Sequence, residues 1–387
     1  MKRLHVINLE KMGGAEKIFL QFLTNATSGS DSVLCISNKI GPEIARELGN
    51  TPLTFANRII PNSKLKYPVF LRKAALLRKI ERQRADLVIF WDFVPNLARK
   101  ICGSKTIYYD HGCSWRFPLN RKTLGFFEKV DGCIAVSHAS KRVMEERFKL
   151  TCPIEIVSNC VPPPATVIAK TAEPTQCIQL GTASRLVSLK GIGISILTLQ
   201  ALLQMNITTE LYIAGKGPDE NALQELVARL GLQQQVHFLG FQQDLTAFFS
   251  KIDFYISSPV TEPFGLSCME ALYHGVPVIF PLIDGQPEVI INGECGIGIT
   301  PTLTFAQYQA LTGIEIDFPH QVFNTVTQQM MDPLVLSPEL CAQQIADILA
   351  QRHYLTLSQN ALQHAHSHFD YAQFVQTLER SFACFVK

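Results

Sequence analysis

Short apolar runs alternate with stretches of helical length along most of this chain, and this alternation limits its possible folds more than any other feature. Apolar runs separated by crossover helices are typical of parallel strands whose sheet is covered on both faces. The sequence therefore predicts an α/β protein with doubly wound sheets. The predicted strands span residues 4–9, 32–37, 87–91, 106–109, 133–136, 155–157, 178–183, 210–214, 236–239, 254–257 and 278–280.

The chain has 387 residues, enough for about two domains. The strand rhythm pauses at Val161-Pro162-Pro163-Pro164, which predicts an N-terminal domain of residues 1–165 and a C-terminal domain of residues 166–387. The last helix is a candidate to cross back to the first domain. The stretch 300–338 follows neither a helical nor a strand period. Since doubly wound sheets bind ligands beyond the carboxyl ends of their strands, we expect the chemistry between the two domains.

The two parts of the chain carry opposite charge. Residues 1–150 hold 26 Lys and Arg against 13 Asp and Glu, whereas the remainder holds 9 against 20. A basic first part favours a phosphate-bearing partner or an anionic membrane, and an acidic second part argues against nucleic acid along the whole molecule. From this charge distribution we expect no nucleic-acid partner. Eleven cysteines without a Cys-x-x-Cys pair are typical of reduced thiols, so we expect a cytoplasmic chain.

The most basic segment runs from Arg58 to Arg84 and holds nine Lys and Arg and one acid. Within it, Phe70, Ala74, Leu77 and Ile80 recur at helical spacing. One interpretation is a basic amphipathic helix on the anionic inner face of a membrane, which would make the chain a peripheral membrane protein. The other is an apolar stripe packed on the sheet with a solvated basic face.

The strongest candidate for a ligand site is the segment Glu262-Pro263-Phe264-Gly265-Leu266-Ser267-Cys268-Met269-Glu270. Gly265 lets the backbone approach a ligand, and the first amides of a helix that begins near Leu266 can hold a phosphate. Glu262 and Glu270 flank that anion site and can accept hydrogen bonds from sugar hydroxyls. The alternative is that Glu262 caps the turn and Glu270 is solvated.

A second cluster, Ser184-Arg185-Leu186-Val187-Ser188-Leu189-Lys190-Gly191, lies between a predicted strand and a helix. Arg185 and Lys190 stand on one loop, so both can converge on one anion, and the guanidinium can bind a diphosphate with two donors. The second part of the chain has few basic residues, which makes two of them beside a predicted phosphate site more informative.

These residues resemble the family 4 retaining glycosyltransferases, which have two facing Rossmann-like domains in the architecture called GT-B. The segment from Glu262 to Glu270 is similar to the family's Glu-x7-Glu motif. The resemblance runs in order from about Gly181 to Ile291, although Ser184 stands where the family usually has Gly. Further matching positions are Arg185, Lys190, Gly191, the turn Gly215-Lys216-Gly217-Pro218, the strand and loop ending at Phe241, and Gly285 with Glu288.

The first domain resembles the family more loosely. Gly13 and Gly14 look like its glycine loop near the donor diphosphate, Glu16 is a candidate acceptor contact, and His111 looks like its histidine facing the sugar. The resemblance implies these roles for residues of this chain. Catalytic residues would be Glu262, His111, Arg185 and Lys190, and donor-binding residues Gly13, Gly14, Gly215, Phe241, Phe264, Gly265, Leu266 and Glu270.

The implied reaction moves a hexose-type sugar, with retention, from a nucleotide-diphosphate sugar to a glycan or lipid-linked glycan in surface polysaccharide or lipopolysaccharide assembly. The departing pyrophosphate needs positive charge, and no Asp-x-Asp occurs in this chain. We therefore expect no metal and no cofactor beyond the nucleotide-sugar co-substrate. Two alternatives stay open: a catalytically silent GT-B subunit that binds a glycan or partner, and a sugar-nucleotide epimerase.

Overall fold

The computed structural model describes residues 1–56 and 69–386, and the side chains of all of these except 69–73. The chain forms two compact units. The first consists of Met1–Val161 together with the last helix of the chain, and the second is Pro162–Asp370.

The first unit contains a seven-stranded, wholly parallel sheet. Its strands are β1 Lys2–Ile7, β2 Ser30–Cys35, β3 Leu53–Phe55, β4 Leu87–Trp91, β5 Lys105–Asp110, β6 Gly132–Ala135 and β7 Ile154–Ile156. The helices along this part of the chain are α1 Gly14–Asn25, α2 Pro42–Glu47, α3 Val69–Arg82, α4 Arg121–Phe127 and α5 His138–Phe148, with a short 3-10 helix at Cys113–Trp115. The strand order is β3-β2-β1-β4-β5-β6-β7.

The second unit contains a six-stranded parallel sheet and a small antiparallel hairpin. Its strands are β8 Ile178–Ala183, β9 Thr209–Ala214, β10 Val236–Gly240, β11 Phe254–Ile256, β12 Val278–Pro281, β13 Gly296–Ile299, β14 Val322–Asn324 and β15 Gln329–Met331. Its helices are α6 Ile192–Gln204, α7 Glu220–Leu230, α8 Thr246–Lys251, α9 Leu266–Tyr273, α10 Phe305–Thr312, α11 Pro338–Ala350 and α12 Tyr354–His368, with short 3-10 helices at Ser188–Lys190 and Gln286–Glu288. The larger sheet has the order β10-β9-β8-β11-β12-β13.

The last helix, α13 Tyr371–Val386, belongs to the first unit. Its Glu379 accepts hydrogen bonds from the backbone N–H groups of Thr27 and Ser28 at 3.0 and 2.8 Å, and lies 3.6 Å from the buried guanidinium of Arg3. Phe385 packs so closely over β6 that a Cβ on Gly132 would stand 2.1 Å from its ring. Burial of this apolar and ionic face fixes α13 on the sheet.

The predicted fold class of two Rossmann-like doubly wound domains is confirmed. The strand predictions find most members of both parallel sheets to within two residues, because buried parallel strands are continuous apolar runs. They miss β3, a three-residue edge strand, and β13, where glycines interrupt the apolar pattern. Gly296 is sterically required in β13, since a Cβ there would stand 2.4 Å from the carbonyl oxygen of Val278.

The stretch 300–338, which showed no period, contains α10 and the hairpin β14–β15. Both hairpin strands are three residues long, too short for a strand pattern to be recognised.

Part of the basic segment 58–84 lies outside the described residues. In its described part, Leu77 and Ile80 of α3 are buried in the core of the first unit together with Leu4 and Phe90. Lys79 donates hydrogen bonds to the carbonyl oxygens of Phe55 and Ala56, at 2.6 and 3.2 Å. The apolar stripe of α3 therefore packs on the sheet at these two positions, as the second interpretation has it.

Among the described residues, every helix is too short or too polar to cross a bilayer.

Candidate functional site

The predicted site residues of the second unit gather where the strand order of its sheet reverses. β9 and β10 lie on one side of β8, whereas β11, β12 and β13 lie on the other. The loops after β8 and β11 therefore diverge at the carboxyl edge and leave a crevice, which is where open α/β sheets bind ligands. Lys190 follows β8, and Glu262 follows β11.

Lys190 and Glu262 form an ion pair in this crevice. The Lys190 Nζ lies 2.5 Å from the Glu262 Oε2, and the two side chains are 29% and 15% exposed. The loops are also joined through their backbones, because the N–H of Val260 donates to the carbonyl of Leu189 at 2.9 Å. An ion pair with limited access to solvent is held more strongly than a surface pair, so each charge fixes the other's position.

Gly191 lets the two loops approach this closely. Its φ is +60°, and a Cβ would stand 2.0 Å from the carbonyl oxygen of Ser258. The Ser258 hydroxyl donates to the Gly191 carbonyl at 2.8 Å. Glycine is thus required at this position for conformation and for space.

Helix α9 begins immediately beside the ion pair. Gly265 caps it in the left-handed region with φ +104°, and the N–H groups of Cys268 and Met269 donate to its carbonyl at 3.0 and 3.1 Å. The first-turn amides and the positive end of the helix dipole suit an anion. Phe264 is buried, whereas Leu266 and Glu270 are partly exposed.

The glycine turn after β9 packs against the loop after β8. Gly215 has φ +139°, and a Cβ on it would stand 1.8 Å from the carbonyl oxygen of Ser184. The Gly215 N–H donates to the Gly240 carbonyl at 2.8 Å, which ties the turn to the end of β10. Phe241, which follows, is 64% exposed, so its ring is available to stack on a planar ligand. Ser184 itself avoids positive φ, so its replacement of the family's Gly strains no backbone there.

Arg185 is exposed on the same loop, and its guanidinium makes no hydrogen bond or ion pair with any residue in the described part of the chain. It is therefore a cation available to a ligand. The pocket at the crevice is lined by Thr182, Ser184, Lys190, Tyr255, Ser257, Ser258, Pro259, Glu262 and Ser267. Ser184 and Ser267 belong to the two motifs of the sequence analysis. The hydroxyl groups of Thr182, Tyr255, Ser257 and Ser258 were missed, since single residues of this kind carry no distinctive spacing.

Two further residues under the site were also missed. The buried Gln286 donates through Nε2 to the Ser257 hydroxyl at 2.6 Å, and its Cγ would lie 3.5 Å from a Cβ on Gly265. Asp284 is fully buried and bonds to the backbone of Glu262. The only signal for either was its place beside Gly285 and Glu288, which matched a family motif.

The predicted residues of the first unit lie at the corresponding edge of its own sheet, whose order reverses between β1 and β4. Gly13 is the N-cap of α1 and Gly14 its first residue. Glu16, in the first turn, folds back over the cap, since a Cβ on Gly13 would stand 2.7 Å from its Oε2. The Glu16 carboxylate therefore lies against the N-terminus of α1, at the position of Gly13.

His111 directly follows β5 and stacks on Trp91, with ring centroids 5.3 Å apart and planes 11° from parallel. Its Nε2 is buried without a hydrogen-bond partner among the described residues. Burial lowers the pKa of His111 to about 3, so the ring is neutral near pH 7. The Trp91 indole is fixed in turn, because its N–H donates to the Nδ1 of His5 at 3.1 Å.

Two carboxylates, Asp92 and Asp110, lie close to the backbone of His111. The Oδ1 of Asp92 accepts the backbone N–H of His111 at 2.6 Å, and Asp110 is fully buried, accepting from Tyr108 and from the backbone of Ser114. Burial, and next the negative charge of Asp110, raise the pKa of Asp92 to about 7. Repulsion between the two carboxylates thus favours a proton on Asp92.

The raised pKa of Asp92 predicts an unusual pH dependence of stability. Between about pH 4 and pH 7 the unfolded chain loses this proton while the folded chain keeps it, so wild-type stability falls as pH rises. Asp92→Asn keeps an acceptor oxygen for His111 but has no proton to lose. A pKa raised from the ordinary Asp value to about 7 corresponds to about 4 kcal/mol at pH 8, so we expect the variant to be more stable than wild type by about that amount at pH 8 and no more stable at pH 4, measured by urea unfolding. Parallel pH curves would contradict this.

No group of three or more His, Cys, Asp or Glu side chains in the described ranges 1–56 and 69–386 is arranged to hold a metal ion. The structure brings Lys190 and Glu262 into contact and puts Gly265, Leu266 and Glu270 on the helix beside them. The functional roles of these residues stay predictions. The same holds for the remaining predicted site residues, which are Arg185, Gly215 and Phe241 of the second unit and Gly13, Gly14, Glu16 and His111 of the first.

Two family models match the chain in succession. The model described as Glycosyltransferase Family 4 matches residues 12–163, and the model described as Glycosyl transferases group 1 matches residues 165–311. The chain is 25% identical to the lipopolysaccharide core biosynthesis glycosyltransferase LpsD of Rhizobium meliloti, over 76% of this chain and 81% of that protein. It is 30% identical to the GtfA subunit of a Streptococcus gordonii peptide N-acetylglucosaminyltransferase, over 44% of this chain and 34% of that protein.

Among solved structures, Anabaena HepE in complex with UDP and glucose aligns with a TM-score of 0.71 at 18% identity, over 99% of this chain and 100% of that one. The two successive models, the two parallel-sheet units and the alignment over whole chains agree with one another. The chain belongs to the family 4 glycosyltransferases of GT-B fold and is a glycosyltransferase.

Proposed function

We propose that the chain transfers a hexose-type sugar from a nucleotide-diphosphate sugar to a glycan or lipid-linked glycan, with retention of anomeric configuration and without a metal ion. The observation that carries the proposal is the Lys190–Glu262 ion pair, which lies at the strand-order reversal of the second unit beside the start of α9. This arrangement puts a cation, a carboxylate and helix amides around one crevice.

The charges of the crevice suit a departing pyrophosphate. Negative charge grows on the distal phosphate as the glycosidic bond breaks, and groups already fixed in place stabilise it most effectively. Lys190 and Arg185 supply two positive charges, and the first amides of α9 supply backbone donors. Since the chain has no Asp-x-Asp, these groups take the part that a bound metal plays in other transferases.

The carboxylates of Glu262 and Glu270 bind the hydroxyl groups of the donor. Glu262 accepts hydrogen bonds from hydroxyls of the transferred sugar, and Glu270 accepts them from the ribose. Phe241 stacks on the base, while Gly215, Phe264, Gly265 and Leu266 shape the backbone around the nucleotide. The departing phosphate helps to take the proton of the acceptor.

Residues of the first unit complete the assignment. The neutral His111 orients the sugar through its unpaired Nε2. Gly13 and Gly14 let the start of α1 approach the donor diphosphate, and Glu16 binds the acceptor. Similarity to the lipopolysaccharide core enzyme of Rhizobium meliloti supports a role in polysaccharide or lipopolysaccharide assembly.

The donor class is tested by a panel of nucleotide sugars and free nucleotides scored by the thermal midpoint of the wild-type chain. A bound donor stabilises the folded form by mass action, about 2.7 kcal/mol at a hundredfold excess over its Kd. We expect one donor to raise the midpoint by several degrees equally with and without a chelator. Anomeric NMR of the product should then show a retained glycoside.

Other outcomes of the same experiment identify the alternatives. Donor consumption without any glycoside indicates a sugar-nucleotide epimerase, and binding without turnover indicates a silent subunit. Loss of turnover in chelator, with return on adding magnesium or manganese, would contradict metal independence.

A peripheral position on the inner membrane face is proposed for the basic side of α3 in a cytoplasmic chain. Arg78 and Arg82 are exposed, so their positive charges can meet anionic lipid while Leu77 and Ile80 stay in the core. Replacing both arginines by glutamate should weaken binding to phosphatidylglycerol vesicles by about tenfold in a sedimentation assay. Unchanged binding would contradict the proposal. Lys79 is unsuitable for this test because it holds the carbonyl of Phe55.

A further inference from the structure

Asp284 is a fully buried carboxylate close to the crevice of the second unit. It follows β12 by three residues and has φ +49°, a conformation that short polar side chains tolerate better than most. A buried charge is costly unless hydrogen bonds satisfy it, so the groups that bond to it indicate why it is there.

Three donors converge on the two oxygens of this carboxylate. The Oδ2 accepts the backbone N–H of Glu262 at 3.0 Å and the hydroxyl of Thr261 at 2.7 Å. The Oδ1 accepts the backbone N–H of Phe323, in β14, at 2.8 Å. Asp284 therefore joins the Glu262 loop to the hairpin β14–β15.

The backbone of Glu262 is held on both sides. Its N–H donates to Asp284, and its carbonyl accepts the N–H of Gly285 at 3.0 Å. The Asp284 N–H donates to the Phe323 carbonyl at 2.8 Å, and the hairpin is bonded again through the Thr325 hydroxyl, which donates to the Leu282 carbonyl at 3.0 Å. These bonds set the direction from which the Glu262 side chain reaches Lys190.

A carboxylate is the group that this position needs. An ionised carboxyl accepts at both oxygens, whereas asparagine offers one acceptor oxygen and two donor hydrogens. With asparagine in either orientation, its amide group would face the donors of Glu262 and Thr261 or the donor of Phe323. The hydrogen bonds at one of the two carboxylate oxygens of Asp284 would therefore be lost.

We propose that Asp284 is a positioning residue for sugar transfer, because it fixes the position of Glu262. Through Asp284, the hairpin β14–β15 also supports the donor site. The proposal rests on the function proposed above, in which Glu262 binds the donor sugar. Asp284 does not touch the substrate and acts only through Glu262.

A double-mutant cycle with Asp284→Asn and Glu262→Ala tests this. Because a displacement of about 1 Å can cost a hundredfold, we expect Asp284→Asn to lower kcat/KM for the donor by about tenfold to a hundredfold. In the Glu262→Ala background the same change should cost less than about twofold, because the group that it positions is gone. Additive losses would overturn the proposal, since a general structural role gives additivity.

Asp332→Asn is the matched control, because Asp332 is an exposed carboxylate directly after β15. It should leave kcat/KM unchanged. If Asp284→Asn does not fold, Thr261→Val can replace it, because this change removes one of the donors to the Oδ2 of Asp284. Thr261→Val should lower kcat/KM several-fold in the wild-type chain and have no effect in the Glu262→Ala background.

Hydrogen exchange at the Glu262 amide tests the positioning without turnover. We expect exchange at least about tenfold faster in Asp284→Asn than in Asp332→Asn, since the first variant opens the hydrogen bond of that amide. Equal exchange would overturn the positioning. A wild-type chain that consumes no nucleotide sugar would overturn the proposed function, and with it the role of Asp284 in transfer.

Discussion

Replacement of Lys190 by alanine should lower kcat/KM for sugar transfer by about a hundredfold to a thousandfold, the range expected when one fixed group that stabilises transition-state charge is lost. The variant loses a cation from the crevice, and it also leaves the Glu262 carboxylate, which lies 2.5 Å from the Lys190 Nζ, without its partner. Both changes make the crevice more negative where negative charge must accumulate. Steady-state kinetics with the identified donor measures the loss.

Lys251→Ala is the charge-matched control. Lys251 ends α8 in the same unit, and its Nζ lies 3.9 Å above the ring of Tyr212, in a contact that is not part of the crevice. It should leave kcat/KM within about twofold, while Lys190→Arg should recover part of the lost activity, because arginine keeps the charge with another geometry. A Lys190→Ala variant as active as the control would show that this cation does not neutralise the leaving group.

Replacement of Gly215 by alanine should destabilise the second unit by about 3 kcal/mol or more, since backbone strain and overpacking add. Gly215 has φ +139°, and a Cβ there would stand 1.8 Å from the Ser184 carbonyl oxygen, a backbone atom that has no rotamer by which to move away. The loops after β8 and β9 would have to separate. Urea unfolding of the purified variant measures the change.

Gly231→Ala is a control that separates the cost of backbone strain at positive φ from the cost of steric overlap with the Ser184 carbonyl. Gly231 caps α7 with φ +71°, and apart from its neighbours along the chain no atom of the described residues would lie within 4 Å of a Cβ at this position. This control carries only the penalty of a left-handed conformation, about 1 kcal/mol. Equal losses at the two positions would mean that the close approach of the loops at Gly215 is not required for stability.

The parts of the fold that could be predicted are those encoded locally. Buried parallel strands such as β4 and β8 are continuous apolar runs, and both were found with the bounds that the structure has. β13 was missed because its glycines interrupt the apolar pattern. They are required by close contacts with residues distant in sequence, and a local pattern contains no information on such contacts. The hairpin β14–β15 was missed because its strands are too short to show a period.

The same distinction applies to the candidate site. Glu262 and Lys190 could be found because each sits in a recognisable motif, although their mutual contact depends on the strand order of the sheet. Asp284 could not be found as a positioning residue, because its importance lies in donors brought to it from the loop after β11 and from strand β14. Trp91 was read only as part of a strand, and its stacking on His111 arises from the pairing of β4 with β5.

The return of α13 to the first unit affects how such a chain can be recombined. The polypeptide passes between the units twice, once near Val161 and again near Asp370. A chimaera made at one crossover would pair α13 with a foreign sheet and leave the buried Arg3 without Glu379. Exchange of the second unit between homologues therefore requires two breakpoints. A single recombination event cannot transfer this unit, or any donor preference that it carries, without also replacing α13.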